Sequence, residues 1–487
     1  MRQGDCLSLP GQPQQRHRRG FTNEGVARDA ANLLHPFRHA MHPNSATADL
    51  STERQRVPAA VDAGLAELVN GIAALLSGLG LFLIVFTLMP FEGTVTTNPN
   101  AANEGNIINQ VGYLVLGAVY LFAMLLTVDR RILARLVSPS WIAIFAIAYL
   151  SCQQSYDPAA SARGLTLSLI AMIMVAGVLV LPRSERDFVN AGANAILLLI
   201  LIDHAALFVA PDRAIHSAFG DEPWHAGFWR GHLLHKNVSA PVFSILCMFG
   251  IYCLRAGAPL RGWAITLLAA NFVLHTGSKT TIGFLPIAIG LVFAGRAVRS
   301  PGLMILAHLA MSALVFGLTL GTIYSDTLLS ITKALIDDPT FTGREDIWKF
   351  ASASIAERPW FGQGYASFWL SPVIMGMEAN FEASWDVRGI VTGHNSYLDA
   401  VLMFGLPGGI LMTALLFVKP LFDYIRAYRR PQARIFADFC VMVVIFMTYN
   451  AMLESFFLNR ADPMWLLTAL AVFGLGLAGR MSMRRQQ

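Results

Sequence analysis

From about Val69 the chain is a succession of apolar runs separated by polar stretches. The runs fall near 69–90, 111–128, 139–152, 163–181, 189–210, 237–254, 262–276, 281–296, 301–323, 396–418, 435–456 and 464–479. About twenty apolar residues suffice to cross the hydrocarbon core of a bilayer as a helix, because an α-helix satisfies its backbone groups internally. The pattern therefore predicts an all-α protein, a polytopic integral membrane bundle of about twelve transmembrane helices. The third run is short, and the seventh is interrupted by Asn271 and His275.

Composition agrees: 55% of residues are hydrophobic and 14% charged, which excludes an ordinary soluble protein. Four parts are expected: a disordered cytoplasmic tail over 1–62, an N-terminal membrane bundle over 63–323, a large external loop over 324–395 containing amphipathic helices, and C-terminal membrane helices over 396–487. The tail carries the cluster Arg16, His17, Arg18 and Arg19 with no apolar run behind it, which excludes a cleavable signal peptide. Cys6, Cys152, Cys247, Cys253 and Cys440 form no CxxC and fall mostly in apolar runs, so neither a disulfide framework nor a zinc site is indicated.

Charge changes the picture by giving the bundle a direction. Arg130, Arg131 and Arg135, then Arg183 and Arg186, Arg255 and Arg261, Arg296 and Arg299 occupy every second connection, followed by Lys419, Arg426, Arg429, Arg430 and Arg434 and by Arg480, Arg484 and Arg485. The positive-inside rule makes these connections and both termini cytoplasmic. The alternate connections, 91–110, 153–162, 211–236, 277–280, 324–395 and 457–463, then face outwards.

Against that bias, three outward connections carry cations or imidazoles beside a helix end: His235-Lys236-Asn237, Ser278-Lys279-Thr280, and a set of Arg344, Arg358, Arg388 and His394. One such residue is an interfacial side chain or half of an ion pair; recurrence on three loops points to anion binding. Thr342-Gly343-Arg344-Glu345 has the form of a capping box, with Thr342 as N-cap and an amphipathic helix bearing Ile347, Ala351 and Ile355 behind it. Arg344 is then expected in the first turn, where backbone N–H groups and the guanidinium can face one phosphate. Gly362 and Gly364 allow a turn or a close backbone approach. His394 stands just ahead of a helix that Asn395 or Ser396 can cap, where the dipole favours a neutral imidazole able to take a proton. Glu454, at the outer end of a run, is expected to pair with one of the outward cations or to face water.

With these residues in hand, the chain resembles the bacterial O-antigen ligase and polymerase superfamily, and most closely its exopolysaccharide polymerases of the succinoglycan type. The resemblance rests on His235-Lys236-Asn237, Ser278-Lys279-Thr280, Thr342-Gly343-Arg344 with Trp348, Pro359 with Gly362 and Gly364, and His394-Asn395 with Leu398. It implies a glycosyltransferase that takes a glycan from undecaprenyl diphosphate at the periplasmic face of the bacterial inner membrane and joins it to an acceptor hydroxyl. The acceptor is another lipid-linked repeat in the polymerases and the lipid A core in the ligases, and a chain-length regulator is a candidate partner. It makes His394 and Arg344 the catalytic pair, Arg344 on the diphosphate and His394 on the acceptor. Lys236, Asn237, Lys279, His235, Asn395 and Glu454 form the candidate substrate-binding set, with Lys279 where many ligases have arginine.

No His, Asp or Glu set shows metal-ligand spacing, so cations of the chain are expected to act without a metal or other cofactor. Trp360, Tyr365, Phe368, Trp369 and Trp385 are candidates for stacking on sugar faces. The rival reading is a lipid-linked oligosaccharide transporter, for which Asp203 and His204 are the mid-span ionisable candidates.

Overall fold

The computed structural model describes residues 50–91, 107–219, 223–336, 338–378 and 386–480, with side chains described from Gly64 onwards. The tail before Leu50, Trp385, Asp337 and the ends of the chain lie outside the described residues.

Helices form at every place where an apolar run was read. They are α1 (Leu50–Phe86), α2 (Ile107–Thr127), α3 (Arg130–Leu136), α4 (Pro139–Cys152), α5 (Pro158–Val180), α6 (Glu185–Val209), α7 (Lys236–Arg255), α8 (Pro259–His275), α9 (Lys279–Ala297) and α10 (Pro301–Leu318). After them come α11 (Asp326–Leu335), α12 (Arg344–Glu357), α13 (Ser396–Thr413), α14 (Lys419–Tyr428), α15 (Arg434–Asn450) and α16 (Pro463–Ala478). The first helix starts at Leu50, so residues 50–62, read as tail, are helical.

By length and apolarity, eight helices among the described residues can cross a membrane, and nine if α3 and α4, bent by 48°, make one span. The expected count of about twelve includes α8, α15 and α16, which are 17, 17 and 16 residues long. These fall short of the roughly twenty residues that a lipid-facing span needs. For α15 the reason is visible: every residue from Phe436 to Asn450 is buried, so the helix is enclosed by protein. In contrast, α2 and α10 present Leu114, Val115, Phe122 and Leu125, and Leu303, Leu306, Leu309 and Phe316, on their outer surfaces. So large an apolar surface is compatible with lipid and not with water, and the chain is an integral membrane protein.

Two groups of polar contacts tie the helix ends together. At one end Asp438 is fully buried and accepts from Arg255 at 2.8 Å, from Arg296 Nε at 2.9 Å and from Tyr424 at 3.0 Å. Asp423 is likewise buried beneath Lys419 at 2.6 Å and Arg426 at 3.0 Å. Many of the basic residues that signal topology are therefore partners of buried carboxylates, knitting α7, α9, α14 and α15 together.

At the other end the large loop folds onto its neighbours. Tyr156 N donates to Ser367 at 2.6 Å, Ser161 to the carbonyl of Tyr365 at 2.8 Å, and Tyr365 to the carbonyl of Leu458 at 2.7 Å. The loop also fills a break in α13. Gly405 takes φ +70°, which frees carbonyls and an N–H at membrane depth, where each unpaired backbone group costs several kcal/mol. Gln363 N donates to Leu402 O at 2.7 Å, Gly364 N to Met403 O at 3.3 Å, and Leu406 N to Pro359 O at 2.7 Å. Gly362 and Gly364 thus serve close approach to the chain itself, Gly362 against Met403 and Gly405, and Gly364 against Ser155.

Gly405→Ala is expected to lower the melting temperature of the purified protein. The residue would carry a Cβ at positive φ against the backbone of Trp360 and Phe361, a strain of about 1–3 kcal/mol before any clash. Gly476→Ala, whose Cβ would meet nothing within 4 Å, serves as the neutral control.

Candidate active site

Three of the singled-out side chains meet at the loop end. The Arg344 guanidinium donates to Glu454 Oε1 at 2.8 Å and, through its other terminal nitrogen, to the carbonyl of Leu453. His394 Nδ1 faces Glu454 Oε2 at 3.4 Å. One carboxylate therefore bridges the cation that opens α12 and the imidazole that precedes α13. His394 Nε2 takes no hydrogen bond among the described residues, and the side chain is 31% exposed. Burial pushes the Glu454 carboxyl up, but Arg344 and His394 more than offset that and hold it down to about 2.

The convergence is produced by a small apolar cluster beneath it. Leu320, Trp348, Ala351, Leu398 and Leu453 are buried together, with Phe284, Ile323 and Trp369 packed against them. Trp348 and Leu398 each follow a site residue, Arg344 and His394, by four positions, about one helical turn. Leu453 precedes Glu454 directly, and Phe284 stands on α9 five residues after Lys279. Packing these anchors together brings Arg344, His394 and Glu454 to one spot and places the start of α9 at its edge. Lys279 is exposed there and has no hydrogen-bond or ion-pair partner among the described residues.

The start of α9 is also tied to the loop before α7. The Phe228 ring lies where a side chain on Gly277 would be, and the same ring receives Lys236 Nζ at 4.1 Å from its centroid. Trp229 N donates to His275 O at 3.0 Å, and the two rings stack at 4.1 Å. The loop before α7 and the turn before α9 thus pack against each other.

Several expectations are corrected. The capping box does not form: Gly343, at φ +82°, is the N-cap of α12 and makes no side-chain cap bond. Phe341 and Thr342 also have positive φ, and Asp338 ties this tight turn by accepting from Thr342 N at 2.7 Å, while Glu345 pairs with Lys349 at 2.6 Å. The first N–H groups of α12 are spent on Thr340, Phe341 and Gly343 carbonyls, so an anion at Arg344 can be met by the guanidinium but not by the helix start. Two of the five guanidinium N–H groups are engaged, leaving donors for a ligand.

His235 is the N-cap of α7, its Nδ1 accepting from Asn237 N at 3.1 Å and its Nε2 facing His225 Nδ1 at 3.3 Å. Lys236 is buried over Phe228. The Asn237 side chain is half-buried at the helix start. Asn395 caps α13 through Tyr397 N and Leu398 N and donates to Met452 O at 3.0 Å, so its amide is consumed by the fold. Tyr365 is buried and cannot stack on a sugar; Trp360 is exposed, and Phe368 and Trp369 are half-buried beside Phe350. Arg388 pairs with Asp386 at 2.6 Å on the surface. Asp203, a transporter candidate, is buried under His232, whose backbone N and ring Nδ1 both donate to it. Among the described residues no three His, Cys, Asp or Glu side chains are placed to share a metal ion.

Reading the sequence missed Asp399. Its carboxylate accepts from Gly393 N at 3.0 Å and from Trp369 Nε1 at 2.9 Å. The signal was available: a lone carboxylate inside an apolar run, five residues after His394.

Residues 264–413 match the family model described as O-antigen ligase, a stretch that contains Lys279, Arg344 and His394. The chain is also similar to the exopolysaccharide production protein ExoQ of Rhizobium meliloti (strain 1021), 30% identical over 152 residues, which are 31% of this chain and 35% of that protein. The match thus spans about a third of ExoQ's length. Both findings support the resemblance to the O-antigen ligase and polymerase superfamily.

The lowered Glu454 carboxyl has a pH consequence. A group held below its ordinary value of 4.5 stabilises the fold fully above that pH and loses the contribution as pH falls towards its folded value of about 2. The melting-temperature gap between wild type and Glu454→Gln should be widest above about pH 5 and should narrow by about pH 3. A gap that does not change with pH would remove Glu454 as the bridging anion.

Proposed function

We propose that this protein is a membrane glycosyltransferase that moves a glycan from undecaprenyl diphosphate to an acceptor hydroxyl at the periplasmic face of the bacterial inner membrane, with both termini cytoplasmic. The observation that carries the reading is the Arg344–Glu454–His394 bridge, whose first and last members lie inside the matched stretch. The chemistry is displacement at the anomeric carbon with the lipid diphosphate as leaving group. Its charge is met by the remaining donors of Arg344 and by the exposed Lys279, fixed at a low-dielectric boundary before the reaction begins. His394 uses Nε2 to take the proton of the acceptor hydroxyl while Glu454 faces Nδ1, the division of labour in which one ring nitrogen is oriented and the other works.

Polymerisation of an exopolysaccharide or O-antigen is the reading that the similarity to ExoQ favours, with a second lipid-linked repeat as acceptor. The description of the matched family favours ligation to the lipid A core as the second reading. Phe368 and Trp369, half-exposed next to the Asp399 carboxylate, are the aromatic faces best placed for a sugar.

The test uses purified protein in nanodiscs with lipid-diphosphate-linked repeat units and no nucleotide, read on a glycan gel. Wild type should give a ladder; His394→Ala should slow it by about 10²–10⁴-fold and Arg344→Ala by about 10²-fold or more. Lys279→Arg should stay active, because a guanidinium supplies the same charge with more donors. Transfer only when lipid A core is added would select the ligase reading. A folded wild type inert with either acceptor would overturn both.

A further inference from the structure

His394 sits at φ +48°, a left-handed conformation that a residue with a Cβ adopts at a cost and keeps only when its surroundings over-determine it. The restraints act on the two flanking peptides. Gly393 N donates directly to Asp399 Oδ2 at 3.0 Å, and Gly393 O accepts from Trp348 Nε1 at 3.1 Å. On the other side, Asn395 N donates to Ser455 Oγ at 2.9 Å. A buried carboxylate thus holds the N–H before His394, and a hydroxyl from the loop after α15 holds the N–H after it. Gly393 is required by the same contact, since a Cβ there would stand 2.5 Å from Asp399 Oδ1.

We infer that Asp399 and Ser455 are positioning residues for His394, an inference that rests on the reading of His394 as the proton acceptor. A bare cap does not account for them, because Asn395 already caps α13 with its own side chain. Asp399 spends its hydrogen bonds instead on Gly393 and Trp369, and Ser455 accepts from Asn395 N, all on or beside the turn that presents the imidazole. The Asp399 charge also belongs to the field at the ring. The charged groups facing His394 are Glu454 from the loop after α15, Arg344 from α12 through that carboxylate, and Asp399 from α13.

The test compares Asp399→Asn and Ser455→Ala with wild type in nanodiscs. Asp399→Asn keeps the shape but loses the charge and one acceptor; Ser455→Ala cuts the link to Asn395 and leaves the charge. Both should lower kcat by about 10²-fold, the effect of a misplacement near 1 Å. The KM for the lipid-linked donor should stay unchanged, because Arg344 and Lys279 are untouched. The second readout needs no activity: in ¹⁵N-histidine NMR the ring signals of His394 should be displaced in both variants and those of His308 should not. Unchanged kcat, losses confined to KM, or unmoved His394 signals would each overturn the inference. A wild type that transfers no glycan would overturn the proposed function and leave the NMR comparison to decide the positioning role. Should Asp399→Asn not fold, Ser455→Ala decides by the same readouts.

Discussion

The Glu454 carboxylate is the point on which the candidate site of this protein depends. It follows α15, the helix most deeply enclosed in the bundle, and it reaches two parts of the chain that are far away in sequence. Arg344 and His394 are both cationic or potentially so, and at a membrane boundary two such groups cannot be held together without an anion between them. The carboxylate supplies that anion and stays ionised because both partners face it. Its backbone does further work, since Ser396 N and Oγ both bond to Glu454 O. The start of α13 is thereby fastened to the same residue whose side chain orients His394.

Two levels of construction support this contact. Below it, Trp348, Leu398 and Leu453 close an apolar cluster, and the indole of Trp348 carries a second duty as donor to Gly393. Beside it, the 359–364 segment plugs the break in α13 at Gly405, pairing the backbone groups that the break exposes. The large loop is therefore not an appendage on a finished bundle. It completes a discontinuous helix of the bundle, and the bundle in return holds Arg344 and His394 in place. Elsewhere in the bundle the logic is the same, a carboxylate gathering cations: Asp438 holds Arg255 and Arg296 from two other helices, and Asp423 holds Lys419 and Arg426 of its own.

The helices were legible because a membrane imposes a simple rule on sequence: every spanning segment must be apolar for about twenty residues and must satisfy its own backbone. Each apolar run became a helix for that reason. The rule is silent where a helix is wrapped in protein, and α15 accordingly ends short of a full span. The arginine alternation could not reveal that Arg255 and Arg296 are held by a buried carboxylate. Arg344 and His394 were singled out as charged or titratable groups beside helix starts in a chain otherwise poor in charge. The Thr342 cap was misread because the motif is local, whereas the turn it sits in is tied by Asp338 and built from three successive residues at positive φ.

What the sequence determined by itself was the class of fold and the order of its helices, and it singled out the candidate side chains, since each of these follows from residue type and periodicity along the chain. Only the tertiary structure decided which polar groups are free to act. Asn395, His235 and Tyr365 looked available and are consumed by the fold, while Asp399, passed over in the sequence, accepts from the backbone of Gly393 beside His394. The physical reason is that a hydrogen-bonding group is spent or spare according to its neighbours in space. Those neighbours, Glu454 for Arg344 and Ser455 for Asn395, are brought from more than fifty residues away by the packing of apolar helices.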